Sequence, residues 1–476
     1  MEFLTALVLL ASGTFCIFFL LLNWNEIRYG RKGLPPGTMG WPVLGETIKF
    51  LQEGPNFMKK QRGRYGNIFK SHLLGSPTIV SMDPELNRYI FLNESKGLVP
   101  GYPQSILDIL GRHNIAAVTG GPHKQIRGAA MSLIGPAAVR EQLLPKIDKY
   151  IRLFLQDWEG KIIDIQEKSQ EMAFFLAFKQ ILEDDESSLV YKSMKEEFDQ
   201  LVEGTISLPI KLPGTSYYRG FQARKKIIKL LKRIIQSRRV PSTTSTEQSD
   251  MLNWLLSNDD SINYKLNDEE IYDQIIMILN SGYETVSTTT MMAIKYLGDH
   301  PNALEELMDE HIMIRQDKSP DEPIDWLAYK RMSFTRAVIF ETMRLATIVN
   351  GLLRKATNDM ELNGFYIPKG WKIYAFTREI NYDPILYPEP FEFNPWRWLQ
   401  DKGLESHNYQ FLFGGGTRLC PGKELGIVTI SMFLHYFVIK YRWEEIGEQK
   451  ISQFPRVQAP KGLHIRIMKQ QKWPHC

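Results

Sequence analysis

Cysteine is scarce in this sequence. Three of the 476 residues are cysteines, at positions 16, 420 and 476. Cys16 lies in an apolar N-terminal run and Cys476 is the last residue, which leaves Cys420 as the single thiol in the body of the chain. The body therefore holds no internal disulfide and no cysteine-based zinc cluster. This usage is typical of a protein whose body folds in a reducing compartment such as the cytosol.

A large charge excess is also lacking. The formal net charge is +4, from 58 basic and 54 acidic residues, and this excess is too small to indicate a nucleic-acid-binding protein. The chain has no internal repeat, and its polar segment 240–250 is short enough to be a surface loop. With 43% hydrophobic and 24% charged residues, the composition is that of a globular protein. We therefore expect one large body.

Residues 3–22 carry no charge and are long enough, at about 1.5 Å per residue, to span a hydrocarbon core of about 30 Å as a helix. The alternatives are a core helix and a signal peptide, whose apolar stretch is usually shorter and ends at a small-residue cleavage site. Trp24 and then Arg28 and Arg31 follow the run, a flank that favours an uncleaved anchor over 1–24 with the body on the cytoplasmic side. The Pro/Gly-rich stretch LPPGTMGWPVLG completes a basic flank and stiff hinge over 25–45.

The spacing of apolar residues predicts a mainly helical body over 46–476 with a small β region. Helical patterns cover 137–157, 168–182, 188–204, 222–238, 268–299, 302–315, 333–346 and 422–439. Strand patterns cover 68–82 and 360–367 as hairpins, the second around Asn363-Gly364, together with 372–377 and 463–467. The basic amphipathic segment 224–239 is either a core-packing helix with a solvated face, which we favour, or a contact with anionic lipid.

Cys420 lies in an unusually glycine-rich stretch, FGGGTRLCPG at 413–422. A lone thiol can be buried filler, a nucleophile, a redox sensor or a metal ligand. Filler does not require this many glycines, and no local motif supplies the base that a nucleophile needs. Backbone amides and a nearby cation such as Arg418 lower a thiol's pKa and tune a metal bound to it. The stretch therefore indicates a metal thiolate beside an anion-pairing arginine.

The pattern Phe413-x-x-Gly416-x-Arg418-x-Cys420-x-Gly422 resembles the signature loop of the cytochromes P-450, the haem-thiolate monooxygenases. The resemblance extends from the hinge to about residue 468. It implies the fold of that family, a single large catalytic domain, mainly α with a small β region, behind one N-terminal transmembrane helix. It also implies haem b with Cys420 as the axial iron ligand, O2 as co-substrate, and electrons from NADPH through a reductase.

Other stretches match landmarks of the same family. The Glu-x-x-Arg pair at Glu341 and Arg344 and the later Arg397 resemble its structural ion network, although Trp396 and Trp398 flank the arginine in place of the usual residues. The centre of helix 268–299, SGYET at 281–285, resembles the segment that provides the proton-relaying pair, here Glu284 and Thr285. The resemblance attributes the helix-interior glycine there to a groove for O2.

The resemblance also implies which residues contact the haem and the substrate. The cations opposite the haem propionates would be His123, Arg127, Arg354 and Arg418, with Phe413 and Gly414 of the loop also against the cofactor. Lys124 and Lys423 would be candidates for docking an acidic reductase. The pocket candidates are Leu107, Leu110, Ser281, Val349, Leu352 and Leu353, any of which could instead be core.

Three further stretches, 93–111, 345–371 and 411–427, resemble one plant subfamily, the brassinosteroid C-6 oxidases. This implies an endoplasmic-reticulum enzyme that converts 6-deoxocastasterone to castasterone through a 6-hydroxy intermediate; some members continue to the lactone brassinolide. Two alternatives stay open. One is a related enzyme that hydroxylates another sterol, triterpenoid or gibberellin precursor, and the other is a non-catalytic membrane haem-binding protein.

Overall fold

The computed structural model describes residues 2–94, 96–182, 188–239, 250–256, 266–316, 318–319, 321–401, 403–407 and 409–470. The predicted surface loop 240–250 lies almost wholly outside these ranges, as does Cys476.

Helices make up most of the fold. They are α1 (Glu2–Leu22), α2 (Trp24–Tyr29), α3 (Thr47–Glu53), α4 (Pro55–Tyr65), α5 (Pro84–Leu92), α6 (Gln104–Leu110), α7 (Gly120–Ile134), α8 (Pro136–Ala138), α9 (Leu144–Phe154), α10 (Ile165–Leu182), α11 (Leu189–Thr205), α12 (Ser216–Arg239), α13 (Met251–Leu256), α14 (Asp268–Asp299), α15 (Pro301–Gln316), α16 (Trp326–Lys330), α17 (Ser333–Ala346), α18 (Arg378–Asn381), α19 (Arg397–Gln400) and α20 (Lys423–Lys440).

The strands are short and belong to small sheets. They are β1 (Ile68–Leu73), β2 (Ser76–Ser81), β3 (Leu98–Pro100), β4 (Ile162–Asp164), β5 (Gly351–Ala356), β6 (Met360–Leu362), β7 (Phe365–Ile367), β8 (Lys372–Phe376), β9 (Tyr441–Glu445) and β10 (His464–Lys469). The mainly helical class with a small β region is thus confirmed.

The chain folds as two compact units, and the first comprises Met1–Pro103 and Val349–Ile380. Its five-stranded sheet has the order β1-β2-β8-β5-β3, in which β2 and β8 run parallel and the other neighbours antiparallel. The hairpin β6–β7 turns at Asn363 and Gly364, whose φ angles of 52° and 76° are the left-handed values that such a two-residue turn requires. Residues 34–45 are non-helical, as their prolines and glycines predict.

The second unit comprises Gln104–Ile348 and Asn381–Cys476, and α14 runs through it. Asn267 begins this helix with a capping box: its Oδ1 accepts from the Glu270 amide at 3.0 Å, and Glu270 Oε2 accepts from the Asn267 amide at 2.8 Å. Two apolar cores flank it: one includes parts of α9, α15, α17 and α20, and the other parts of α10, α11 and α12. A three-stranded sheet, β4-β10-β9, completes the unit.

The predicted N-terminal helix is present as α1. Within the described residues, however, no helix combines the length and apolarity needed to cross a membrane. The transmembrane segment predicted over 1–24 is therefore not confirmed.

The basic segment 224–239 belongs to α12 and packs as a core helix. Ala223, Ile227, Leu231 and Ile235 are buried along one face. Exposed Lys226 and Arg239 form ion pairs with Glu197 and Asp268. The largely buried Arg224 and Arg238 pair with the buried carboxylates of Asp273 and Asp250. This geometry agrees with the favoured interpretation of a packed helix with a charged outer face.

A chain of hydrogen bonds crosses the interior between α15, α17 and α20. Arg315 Nε donates to His435 Nε2 at 3.1 Å, the two Nδ1 atoms of His435 and His311 are 3.0 Å apart, and His311 Nε2 lies 3.3 Å from Thr335 Oγ1. Thr335 Oγ1 in turn donates to Glu310. Both histidines are fully buried, and burial lowers the pKa of His311 to about 3 and that of His435 well below its usual range. Both rings are therefore neutral at pH 7.

Candidate functional site

The loop before α20 holds Cys420 through its backbone. The Cys420 amide donates to the Phe413 carbonyl at 3.0 Å, which closes the loop on itself. Gly414 and Gly416 have φ angles of 74° and 62°, so a side chain at either position would be strained. Gly422 then precedes the first turn of α20, and its amide hydrogen-bonds the Cys420 sulfur. The glycines thus shape the turn, and the amide that reaches the sulfur comes from the residue two positions after it.

Cys420 has a free thiol and is partly buried. Burial raises the pKa of its thiol above the ordinary value, although the Gly422 amide and the positive charges of Arg127 and Lys423 oppose that rise. A thiol with a raised pKa is protonated at neutral pH, whereas a bound metal cation deprotonates a coordinating thiol. The environment is therefore more typical of a metal ligand than of a free nucleophile.

Arg418 ties the cysteine loop to the segment before α7. Its Nη1 donates to the Ile115 carbonyl at 2.6 Å, and its Nη2 donates to the Val118 carbonyl at 2.5 Å. The guanidinium predicted to meet a propionate thus already has backbone acceptors. These contacts give Arg418 a structural function that the spacing did not indicate, and its pairing with a propionate stays a prediction.

Helix α7 places two predicted cations one turn apart. His123 is buried, and Arg127 is half-buried. Burial lowers the pKa of Arg127, the Cys420 charge opposes this, and Arg418 adds to it. Arg127 makes no hydrogen bond or salt bridge with any residue that the structure describes. A half-buried guanidinium without a carboxylate is expected where a ligand supplies the anion.

The middle of α14 is exposed although its flanks are buried. Ser281 and Thr285, one turn apart, are exposed, whereas Leu279 and Met291 are among the buried residues on either side. This local exposure in an otherwise buried helix indicates a cavity along that turn. The Thr285 hydroxyl donates to the Ser281 carbonyl at 2.8 Å. The lone pairs of Thr285 Oγ1 therefore remain available to accept a hydrogen bond.

The glycine of this turn faces another direction. A methyl group at Gly282 would lie 3.5 Å from the Ala177 side chain of α10, which is ordinary van der Waals contact. Gly282 therefore faces the packing with α10, whereas the exposed residues of this turn are Ser281 and Thr285.

Glu284, the predicted acid of the relay, has an ion-pair partner that the sequence did not reveal. Arg456 Nε lies 2.8 Å from Glu284 Oε1, with both side chains partly buried. Arg456 also donates through Nη2 to the Val202 carbonyl at 2.9 Å and to Thr205 Oγ1. The arginine thus holds the Glu284 carboxylate against the end of α11. No local motif marks Arg456, because its partners are distant in the sequence.

The predicted ion network is present and fully buried. Arg344 grips Glu341 with two bonds, from Nε at 2.9 Å and from Nη2 at 2.8 Å, and Arg397 Nε adds a third at 3.2 Å. The remaining donors of both arginines bond to the Asn381, Pro388, Glu389, Pro390 and Glu392 carbonyls. The network therefore fixes the path of the chain from 381 to 397.

Trp398 is part of this network, although its identity looked like a departure from the family pattern. Its indole Nε1 donates to Glu341 Oε2 at 2.9 Å, and its ring lies 5.1 Å from that of Phe340. The Asn394 amide donates to Glu341 Oε1 at 2.9 Å. Phe340 in turn packs against Phe413 at 5.7 Å, which connects the network to the cysteine loop.

Lys423, a predicted docking residue, is already paired. Its Nζ donates to Glu405 Oε1 at 3.0 Å, and Arg336 also grips that carboxylate. Burial would raise the pKa of Glu405, but Arg336 and Lys423 together hold it at about 2. Lys124 on α7 is exposed and makes no salt bridge with a described residue. Of the two lysines, Lys124 is therefore the one available to an acidic partner.

The pocket candidates separate by burial. In the second unit Leu107 is half-buried, whereas Leu110 is 3% exposed and belongs to an apolar core, so it serves packing. In the first unit Val349 is 42% exposed, and Leu352 and Leu353 on β5 are half-buried.

Arg354, the fourth predicted propionate cation, is also in the first unit, on β5. It is 2% exposed, its Nη1 donates to the Leu353 carbonyl at 3.3 Å, and its guanidinium lies 5.9 Å from the Phe91 ring.

These residues fit a planar iron cofactor. Cys420 offers one thiolate, and the described residues contain no cluster of three or more His, Cys, Asp or Glu that could complete a metal site by itself. A single protein ligand suits a metal whose other ligands come from a macrocycle. Arg127 offers a cation to an anionic substituent of the cofactor. The turn of α14 at Ser281 and Thr285 is exposed and could face such a cofactor.

The bond from Trp398 to Glu341 generates a first prediction. We expect Trp398→Phe to lower the free energy of unfolding by about 1–3 kcal/mol, because a buried carboxylate oxygen loses its donor. Trp396→Phe is the matched control, since Trp396 is also half-buried and packs at 5.3 Å on Phe334 without a carboxylate partner. Urea denaturation followed by circular dichroism measures both. An equal loss in the two variants would contradict the proposed importance of this bond.

Comparisons with known proteins agree with this geometry. The family model described as Cytochrome P450 matches residues 35–466. A tomato (Solanum lycopersicum) protein named Cytochrome P450 85A1 is 62% identical over 95% of this chain and 96% of its own length. An Arabidopsis thaliana protein named 3beta,22alpha-dihydroxysteroid 3-dehydrogenase is 37% identical over 97% of this chain and 98% of its own length.

A solved structure, described as retinoic acid-bound cyanobacterial CYP120A1, matches with a TM-score of 0.81. It is 28% identical in sequence and covers 92% of this chain and 99% of its own. The family expected from the loop 413–422 is confirmed. The chain therefore belongs to the cytochrome P-450 family of haem-thiolate monooxygenases, oxidoreductases that use O2 and electrons supplied by a reductase.

Proposed function

We propose that this enzyme is a brassinosteroid C-6 oxidase that converts 6-deoxo brassinosteroids, such as 6-deoxocastasterone, to the corresponding 6-ketones. The observation that supports this best is the 62% identity with the tomato 85A1 protein over 95% of the chain. The name of the Arabidopsis relative places another protein of similar sequence in steroid chemistry.

The substrate is oxidised in two rounds. Each round consumes one O2, two electrons and two protons, and releases one oxygen atom as water. The first round converts C-6 from CH2 to CHOH. The second round adds oxygen to CHOH to give the geminal diol, which loses a further water to form the ketone. The bound haem supplies the oxygen activation and bond cleavage, while the protein supplies orientation and electrostatics.

The chain's own residues position the cofactor. Cys420 would be the axial ligand, with the Gly422 amide moderating the charge on its sulfur. Arg127 would meet a propionate because it lies near Cys420 and is not otherwise paired among the described residues. Arg418 would hold the loop to 115–118 through its backbone contacts. His123 and Arg354 complete the set of proposed propionate cations, and Phe413 and Gly414 would border the cofactor.

Proton delivery is assigned to Thr285 and Glu284. The Thr285 hydroxyl donates to the Ser281 carbonyl and can accept a proton donor, so it can orient a water beside the reacting oxygen. Glu284 precedes it on α14 and is held by Arg456 at 2.8 Å. Because this ion pair lies next to Thr285 in the chain, Arg456 would act as a positioning residue for the relay.

We also propose the setting of the enzyme. The 1–24 segment would anchor it in the endoplasmic-reticulum membrane, 25–45 would be the basic flank and hinge, and 46–476 would be a cytoplasmic catalytic domain. Exposed Leu9, Leu10 and Phe15 of α1 support a lipid contact. The electron donor would be an NADPH-dependent P-450 reductase, with Lys124 as a docking cation.

Carbonate extraction of microsomes tests the anchor. Release of the full chain from the membrane would exclude it.

Product analysis tests the substrate. The enzyme reconstituted with reductase, NADPH and 6-deoxocastasterone should give the 6-hydroxy compound and then castasterone, identified by mass spectrometry. A brassinolide peak would extend the reaction to the lactone. Absence of any 6-oxidised product at all enzyme levels would instead favour another sterol, triterpenoid or gibberellin precursor.

A variant of Cys420 tests the proposed thiolate ligand. Cys420→Ala should abolish both turnover and the Soret band that the reduced carbon monoxide complex of a thiolate-bound haem gives. An intact band with no turnover on any substrate in the native chain would support the non-catalytic haem-binding alternative.

The Glu284–Arg456 pair generates a double-mutant prediction. We expect Glu284→Gln and Arg456→Gln each to lower product formed per O2 consumed at least threefold, and the double variant to be no worse than Glu284→Gln alone. Residues that act through one pair show such non-additivity. Arg466→Gln is the control, because Arg466 pairs with Glu444 on an exposed sheet face. Additive losses would contradict the positioning function of Arg456.

A further inference from the structure

The first unit contains a cavity that the proposed reaction does not use. Its volume is about 290 Å³, and its lining combines three cations, Arg28, Arg31 and Lys369, with two aromatic rings, Tyr29 and Trp371. Residues 28–31 end the N-terminal segment, whereas 368–371 lead into β8. The fold thus brings separate basic residues of one unit to a common concave surface.

The positive charge of this cavity is only partly neutralised by the described residues around it. Arg28 and Arg31 make no salt bridge or side-chain hydrogen bond there, although Arg28 lies 5.4 Å from the Tyr29 ring. The nearby carboxylate is that of Asp359, whose Oδ1 accepts from the Lys369 amide at 2.7 Å. The charges of Arg31 and Lys369 help to lower the pKa of this carboxylate. One carboxylate therefore faces several cations.

Neighbouring residues strengthen the positive potential. Burial and the adjacent Lys355 lower the pKa of Lys372 to about 8. Burial also lowers the pKa of His72, and the charges of Arg28 and Lys372 contribute to this shift. Burial is the main cause of both shifts, and the smaller contributions of Lys355, Arg28 and Lys372 show that positive charges lie close together here, where a bound anion would reduce their repulsion.

The rings of Tyr29 and Trp371 supply an apolar part of the cavity lining, its floor. Trp371 is 5% exposed, its ring meets Tyr29 edge-on at 6.1 Å, and Tyr29 lies 5.7 Å from the His72 ring. A low-dielectric floor strengthens the attraction between the cations and an anion above it. Guanidinium groups offer paired donors that match the oxygens of a phosphate.

We propose that this cavity binds a phosphate group, either that of a phospholipid headgroup or free phosphate. The two sources share the same recognition chemistry. The lipid source is suggested by the chain itself, because Arg28 and Arg31 follow α1, whose exposed apolar side chains include Leu10, Phe15 and Phe18. This proposal is independent of the steroid substrate and of the reaction at Cys420.

Calorimetric titration of the full-length holoenzyme in neutral detergent at 0.15 M NaCl tests the site. The probes are inorganic phosphate and, separately, dihexanoyl phosphatidic acid. We expect saturable binding that the double variant Arg31→Gln/Lys369→Gln weakens at least tenfold. At least tenfold tighter binding of phosphatidic acid than of phosphate identifies the headgroup as the source, and equal affinities identify free phosphate.

The control variant is Lys59→Gln/Arg64→Gln, which removes the same charge from exposed positions of α4 in the same unit. We expect it to change the affinity less than twofold. Circular dichroism and the haem spectrum establish that both variants are folded. Absence of saturable binding with both probes, or an equal loss in the control variant, would overturn the proposal, since the latter reports only diffuse charge attraction.

Discussion

The carboxylate of Glu341 is the interaction on which the rest of the second unit depends. It is fully buried and accepts from two arginines, an indole and a backbone amide, so an unusual number of donors converges on one charge. Its partners then bond to a series of backbone carbonyls between 381 and 392. A buried pair of this kind adds little net stability, but loss of one partner costs about 3–5 kcal/mol because a charge remains buried alone. The network therefore acts chiefly by permitting one path of this chain segment.

That path determines where the thiol lies. Phe340 lies on the same helix as Glu341, directly before it, and packs against both Trp398 and Phe413. The Phe413 carbonyl in turn accepts from the Cys420 amide. The buried Glu341 carboxylate thus fixes the position of Cys420 through aromatic contacts and the hydrogen bond of the Cys420 amide. Arg418 adds a second attachment, to the segment that enters α7. The cysteine is held from two sides before any cofactor is considered.

Much of this arrangement could be predicted from the sequence, because its signals are local. The bounds of α14 and α17 agree with those expected from their apolar spacing, and Asn363-Gly364 predicted its hairpin turn. Strand β5 was missed because GLLRKA lacks alternation and is stabilised by distant partners, β3 and β8. The mainly helical class and the family were predictable, whereas the order of strands in the sheet was not.

The site residues show the same limit. Glu341, Arg344 and Arg397 were predicted from motifs, but Trp398 was taken as a departure until its bond to Glu341 gave it a function. Arg456 was missed because an ion pair between remote segments has no sequence spacing to reveal it. The cost of glycine inside a helix marks Gly282 as unusual, but the residue it faces is Ala177 of α10 and not a groove for O2.

The buried histidine chain has a consequence for the direction of its protons. Arg315 can only donate, and the Glu310 carboxyl oxygens accept from the Phe334 and Thr335 amides and from Thr335 Oγ1, so each hydrogen between them must point from the guanidinium toward the carboxyl group. His435 then carries its proton on Nδ1 and His311 on Nε2. Helices α15, α17 and α20 are therefore joined by an oriented row of dipoles with a single permitted tautomer at each ring. Reversing any one of them would require all the others to reverse, which the donors of Arg315 at one end and the accepting oxygens of Glu310 at the other forbid.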